Sequence, residues 1–160
     1  MCDENPLNVL LGAAAFAVAA AITSLLVAIG LNGSFFGAGG APGAMIAVAI
    51  SSGAAAASLT GAIIAMNLWY SCMTAAGTHP AAAVPCKGLL GSFDAAAAAA
   101  ATVLVLQGWA ALAAAGVSWV PGLGLPPMWV ILGALIAQSI AIAALVYFWR
   151  QTRACILSHP

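Results

Sequence analysis

Leu7-Asn8-Val9-Leu10-Leu11-Gly12-Ala13-Ala14-Ala15-Phe16-Ala17-Val18-Ala19-Ala20-Ala21-Ile22-Thr23-Ser24-Leu25-Leu26-Val27-Ala28-Ile29-Gly30-Leu31 contains no charged residue and no proline. A stretch of about 20 apolar residues, rising about 1.5 Å each, crosses a hydrocarbon core about 30 Å thick. This stretch is therefore read as a membrane-crossing helix. Three more follow, at about Ala44–Tyr70, Phe93–Ala115 and Met128–Trp149. Breaker-rich connections separate them: Asn32-Gly33-Ser34 through Pro42-Gly43, Thr78-His79-Pro80 through Pro85-Cys86-Lys87-Gly88, and Gly116 through Pro126-Pro127. The expected fold is an all-α integral-membrane domain over residues 1–160, a bundle of four transmembrane helices.

Composition agrees. Only 4% of the 160 residues are charged, against about 25% in an ordinary soluble domain. Hydrophobic residues reach 65% and the mean hydropathy is +1.15. So few polar groups cannot cover a soluble surface. Three cations cannot build a nucleic-acid interface, and the hydrophobicity excludes disorder. The leader Met1-Cys2-Asp3-Glu4-Asn5-Pro6 is acidic, and the first apolar run is too long for a signal-peptide core, so the first helix is expected to be retained.

Lys87, Arg150 and Arg153 are all the Lys and Arg in the chain. With four spans, both termini and the middle connection share one face, and all three cations fall on it. The positive-inside rule then places both termini in the cytoplasm. Aromatic residues gather where interfaces are expected: Trp69, Tyr70, Phe93, Tyr147, Phe148 and Trp149 toward one side, Phe35, Phe36, Trp119 and Trp129 toward the other.

The two halves resemble each other weakly. Leu10-Leu11-Gly12 and Leu89-Leu90-Gly91 stand 79 positions apart, and Trp69 and Trp149 stand 80 apart. Cys2 and Cys72 bracket the first hairpin, Cys86 and Cys155 the second. A real repeat would be parallel, with its pseudo-two-fold along the membrane normal.

Candidate chemistry is sparse. No C-x-x-C pair exists, so the four cysteines are read first as free thiols on the cytoplasmic face. A metal set of Cys2, Cys72, Cys86 and Cys155, acylation, or a disulfide are the alternatives. A disulfide, best placed as Cys72–Cys86, would require an oxidising compartment and contradict the orientation. Asp94 is the one acid outside the N-terminal tail, so it is the ionisable candidate for a proton or cation site. Its position after Gly91-Ser92-Phe93 favours a simpler role in holding the free N–H groups of a helix start. Gln107 and Gln138 lie deep in their spans and suit hydrogen bonding between helices. Gly53, Ala57 and Gly61 give the second span a small-residue face for close packing. No His lies within a span, so a haem or a His-ligated pigment has no ligands.

The connections around Phe35, Phe36 and Trp119, with Trp129 beyond, carry no charge although they should meet water. Uncharged apolar surface of that kind marks a docking face. The expected function is thus a structural or accessory subunit of a larger membrane complex rather than an enzyme, with membrane lipid and other integral-membrane subunits or further copies as partners. No cofactor is expected beyond bound lipid. The alternatives are a small oligomeric transporter or channel using Asp94, and a membrane redox or metal protein using the cysteines.

Overall fold

The computed structural model describes residues 2–32, 42–75, 77–114 and 128–159. It is all-helical there: α1 (Asn5–Asn32), α2 (Pro42–Thr74), α3 (Lys87–Ala114) and α4 (Met128–Leu157), with a 3₁₀ turn at Pro80–Ala82 between α2 and α3. All four long helices are long and apolar enough to cross a membrane. At 28 to 33 residues they run to about 42–50 Å, longer than a bilayer core of about 30 Å.

Local chemistry explains the starts. Asp3 accepts a hydrogen bond from the Asn5 N–H at 2.9 Å, placing an acid where the unpaired N–H groups of α1 need one. Pro6 sits in that first turn, where its missing N–H costs nothing. The third helix begins at Lys87, directly after Pro85-Cys86, and the Leu90 N–H already reaches back to the Cys86 carbonyl. Asp94 is consequently two turns inside α3, and its expected role at a helix start is corrected. Gly88 and Gly91 do not delay the helix, which the chain enters through turns closed by the Cys86 N–H on the Ala82 carbonyl and the Lys87 N–H on the Val84 carbonyl.

The buried positions follow a period of 3.5. In α1 the seam runs through Leu7, Leu11, Ala14, Val18, Ala21, Leu25 and Ala28, spaced alternately by four and three, with Ala17 and Ile29 buried at its edge. The same alternation runs through α2 from Met45 to Trp69, through α3 from Phe93 to Ala111, and through α4 from Ile131 to Ile156. A strict 3.5-residue seam keeps facing its neighbours only if the helices wrap in a left-handed sense, the geometry of most helical bundles. Large apolar side chains such as Phe16, Ile50, Leu106 and Ile140 point outward instead. Helices apolar on every face suit a lipid surrounding rather than water.

Each helix packs on its chain neighbours and α4 returns to α1, closing the ring. The α1–α2 and α2–α3 seams are extensive. The two seams made by α4 are thinner.

The cysteines are paired, which corrects the free-thiol expectation. Cys2 joins Cys72 with Cα atoms 5.7 Å apart, and Cys86 joins Cys155 at 5.9 Å. The pairing differs from the expected Cys72–Cys86 link as well. Each disulfide spans one hairpin, with sequence separations of 70 and 69, and staples the end opposite its connecting loop. Antiparallel packing brings these residues together: a hairpin that starts and ends on one face returns its second cysteine to the level of its first.

Candidate functional site at the stapled end

The polar side chains that bond one element to another collect at the stapled end. The Arg153 Nε donates to Glu4 Oε1 at 2.7 Å, tying α4 to the segment before α1. This pair is partly exposed and contributes at most about 1 kcal/mol. The Trp149 Nε1–H donates to Asn8 Oδ1 at 3.1 Å, again joining α4 to α1. The Tyr70 hydroxyl donates to the Ala83 carbonyl and so anchors the middle connection on α2. Trp69 and Trp149, both buried, meet edge to face with centroids 4.7 Å apart. That contact joins α2 to α4 across the ring.

Asp94 is partly buried, and both its carboxylate oxygens lie 3.0 Å from the Asn67 Nδ2, which donates to them. The same nitrogen also donates to the Ile63 carbonyl at 2.8 Å. Asp94 is therefore engaged in joining α3 to α2.

Gln107 and Gln138 occupy seam positions of α3 and α4 and are only 7% and 6% exposed. Both side-chain ends of Gln107 and the Gln138 Oε1 have no hydrogen-bond partner. The buried Ser52 hydroxyl on α2 is also unpartnered. Ser52 was not among the residues singled out in the sequence, although the 3.5-residue seam would have placed it inside. It lies beside Gly108, where an added Cβ would stand 3.9 Å from the Ser52 Cβ and 3.5 Å from the Ala49 carbonyl oxygen. Gly108 thus marks the close approach of α2 and α3.

Of the small-residue face, Gly61 packs against Leu10 of α1, whose Cδ1 would meet an added Cβ at 3.2 Å. Gly53 and Ala57 face outward, and a Cβ on Gly53 would enter open space. Trp129 is exposed in the first turn of α4. Phe35, Phe36 and Trp119 lie outside the described residues.

Ligand atoms of Cys86, Cys155 and His159 lie within 4.8 Å of one another. The two sulfurs are bonded to each other and carry no thiolate charge, so a metal would need reduction first. The His159 Nδ1 is 2.7 Å from the Cys155 carbonyl oxygen, a hydrogen bond when that nitrogen carries the proton.

Two grooves open beside this end. One, about 310 Å³, lies between α1 and α2 next to the Cys2–Cys72 staple, with Pro6, Ile64 and Leu68 in its walls. The other, about 270 Å³, lies between α1 and α4 and carries Asn8 and Arg150 together with apolar side chains. In comparison with known proteins, no family model, no curated protein and no solved structure matches this chain.

Proposed function

We propose that the chain is a structural subunit of a multi-subunit membrane assembly, crossing the bilayer four times as two similar stapled hairpins. One observation carries this reading. At the stapled end, both disulfides, the Glu4–Arg153 ion pair and the Asn67–Asp94, Trp149–Asn8 and Tyr70–Ala83 hydrogen bonds all join one segment of the chain to another. These groups are committed to architecture. The outward Gly53 and Ala57 on α2 support a docking role, since small residues let a neighbouring helix approach closely where hydrophobic force is absent. Matched separations of 70 and 69 within the two staples support the parallel repeat, as does the Trp69–Trp149 contact.

The stapled end faces an oxidising compartment in this reading. Two disulfides outweigh three cations, because thiols on a reducing face are kept open by the cellular reductants, whereas the positive-inside bias is a statistical preference. Extraction in mild detergent followed by light scattering and cross-linking tests the subunit reading. It expects this chain within a larger particle, and a lone monomer overturns it. A membrane-impermeant maleimide applied to intact cells after an impermeant reductant tests the orientation. Labelling of the opened cysteines is expected, and protection of all four overturns it.

A second reading, a small transporter or channel, draws on the unpartnered Ser52, Gln107 and Gln138 in the bundle interior. Buried polar groups without partners are rare in packed proteins and suit a path that admits water or a polar solute. Solute flux in proteoliposomes that falls in a Gln107→Leu variant would favour it over the structural reading.

A further inference from the structure

We infer that the groove between α1 and α4 is a binding site for one acidic phospholipid, with Arg150 holding the headgroup phosphate. The inference rests on the four helices crossing a bilayer. The groove's walls are two helical faces in antiparallel register. Asn8, Leu11 and Ala15 of α1 descend opposite Trp149, Val146 and Ile142 of α4. Polarity changes along this line. Asn8 and Arg150 stand at the stapled end, among the aromatic residues of the interface, and every deeper wall residue is apolar. From Asn8 to Ala15 the groove follows seven residues, about 10 Å of depth. A site with one cation at the interface and an apolar trench running inward fits a molecule with one anion and a chain.

Three observations favour this occupant. First, the α1–α4 seam is the thinnest in the ring, while the corresponding α2–α3 seam is extensive and bridged by the Asn67–Asp94 bond, and the groove that does open there, beside Gly108, has no charged residue in its walls. Second, Gly12 lines the groove, and an added Cβ there would meet nothing within 4 Å, so no protein side chain fills the groove at that level. Third, Arg150 has no acidic partner among the described residues, whereas Arg153 pairs with Glu4. An exposed guanidinium beside an apolar trench attracts a phosphate by charge and by directed N–H donors. The Trp149 indole N–H is engaged by Asn8, which fixes the wall beside the headgroup.

The test uses the full chain, purified in dodecyl maltoside and stripped of lipid, then exposed to equal concentrations of phosphatidylglycerol and phosphatidylcholine. Native mass spectrometry counts the retained lipid. One phosphatidylglycerol per chain is expected, preferred about fivefold, the scale of one basic residue's attraction for an acidic lipid. Arg150→Gln should abolish the preference, Gly12→Phe should lower retention of both lipids, and Arg153→Gln should change neither. Equal retention of the two lipids, or a preference that survives Arg150→Gln, overturns the inference. So does oleate that displaces phosphatidylglycerol at equal concentration. Mobility on non-reducing gels monitors folding. Should Gly12→Phe fail it, Ala15→Phe replaces it as the trench-filling variant. Infrared dichroism in oriented bilayers separately reads whether the helices cross the membrane, so failure of that premise is distinguished from failure of the site.

Discussion

Replacing both members of one staple by serine is the perturbation that separates covalent from packing contributions. A cross-link removes conformations from the unfolded chain by an amount set by the loop it closes. Loops of 70 and 69 residues give about 4 kcal/mol each at 25 °C in the chain-entropy relation. Helices held in a bilayer or micelle keep much of their order when the bundle opens, so the measured cost should fall toward about 2 kcal/mol, the lower part of the usual range. The two costs should match, because the loop lengths match. The native consequences should differ. The α1–α2 seam is extensive and holds without its staple, whereas α4 has thin seams on both sides and depends more on Cys86–Cys155. Cys2→Ser/Cys72→Ser and Cys86→Ser/Cys155→Ser would be compared by unfolding in mixed dodecyl maltoside and dodecyl sulfate, with hydrogen exchange on α4 as the local readout. The unmutated chain titrated with a dithiol reductant supplies the same comparison if a variant does not accumulate. A cost below about 0.5 kcal/mol for either staple, or faster exchange of α4 on losing the first staple than the second, would refute the reasoning.

Gly108→Leu should force α2 and α3 apart at a cost of about 1–3 kcal/mol, while Gly53→Leu should cost under about 0.5 kcal/mol in the isolated chain, both read by the same detergent titration. On the proposed subunit reading, Gly53→Leu should weaken association with neighbouring chains, which size-exclusion chromatography of the detergent extract reports. Gln107→Leu should stabilise the bundle by about 1 kcal/mol, since it removes two polar atoms that have no partner; a loss of stability would mean that those atoms are satisfied by water. Asn67→Ala should cost about 1 kcal/mol by unpairing the Asp94 carboxylate, and the Asn67→Ala/Asp94→Ala double variant should recover part of that loss, a coupling that a thermodynamic cycle measures.

Four helices were legible in the sequence because the hydropathy of each span is decided by a run of about 20 residues, too long a signal for local chemistry to disturb. Helix ends were less legible. Apolar windows cannot see Lys87 or Arg153, yet both lie in helices, since a charged side chain at the interface does not interrupt backbone hydrogen bonding. The inward face was hidden for a different reason. Where Ala fills both sides of a helix, as at Ala95–Ala101, hydrophobicity does not vary around the axis, and only the 3.5-residue spacing of Phe93, Ala97, Ala100 and Leu104 marks the seam. Gly53 and Ala57 were legible as small but not as outward. Asp94 was read by its neighbours in the chain, whereas its partner Asn67 lies 27 positions away.

The cysteines and the cations make opposing statements about the same face, and the opposition decides how the stapled end should be understood. Lys87, Arg150 and Arg153 would draw this end to the cytoplasm. But Arg153 is engaged by Glu4, Arg150 stands at the mouth of the α1–α4 groove, and Lys87 opens α3 beside Cys86. Local roles of this kind place a cation at a helix end whichever compartment it meets. No such local account exists for four cysteines that pair within their own hairpins at near-identical separations. Chance placement of four thiols would rarely bring both pairs within bonding geometry, and a reducing face would make no use of it. The symmetry of the staples is therefore the argument on which we propose the stapled end as the extracytoplasmic, covalently closed end of the bundle.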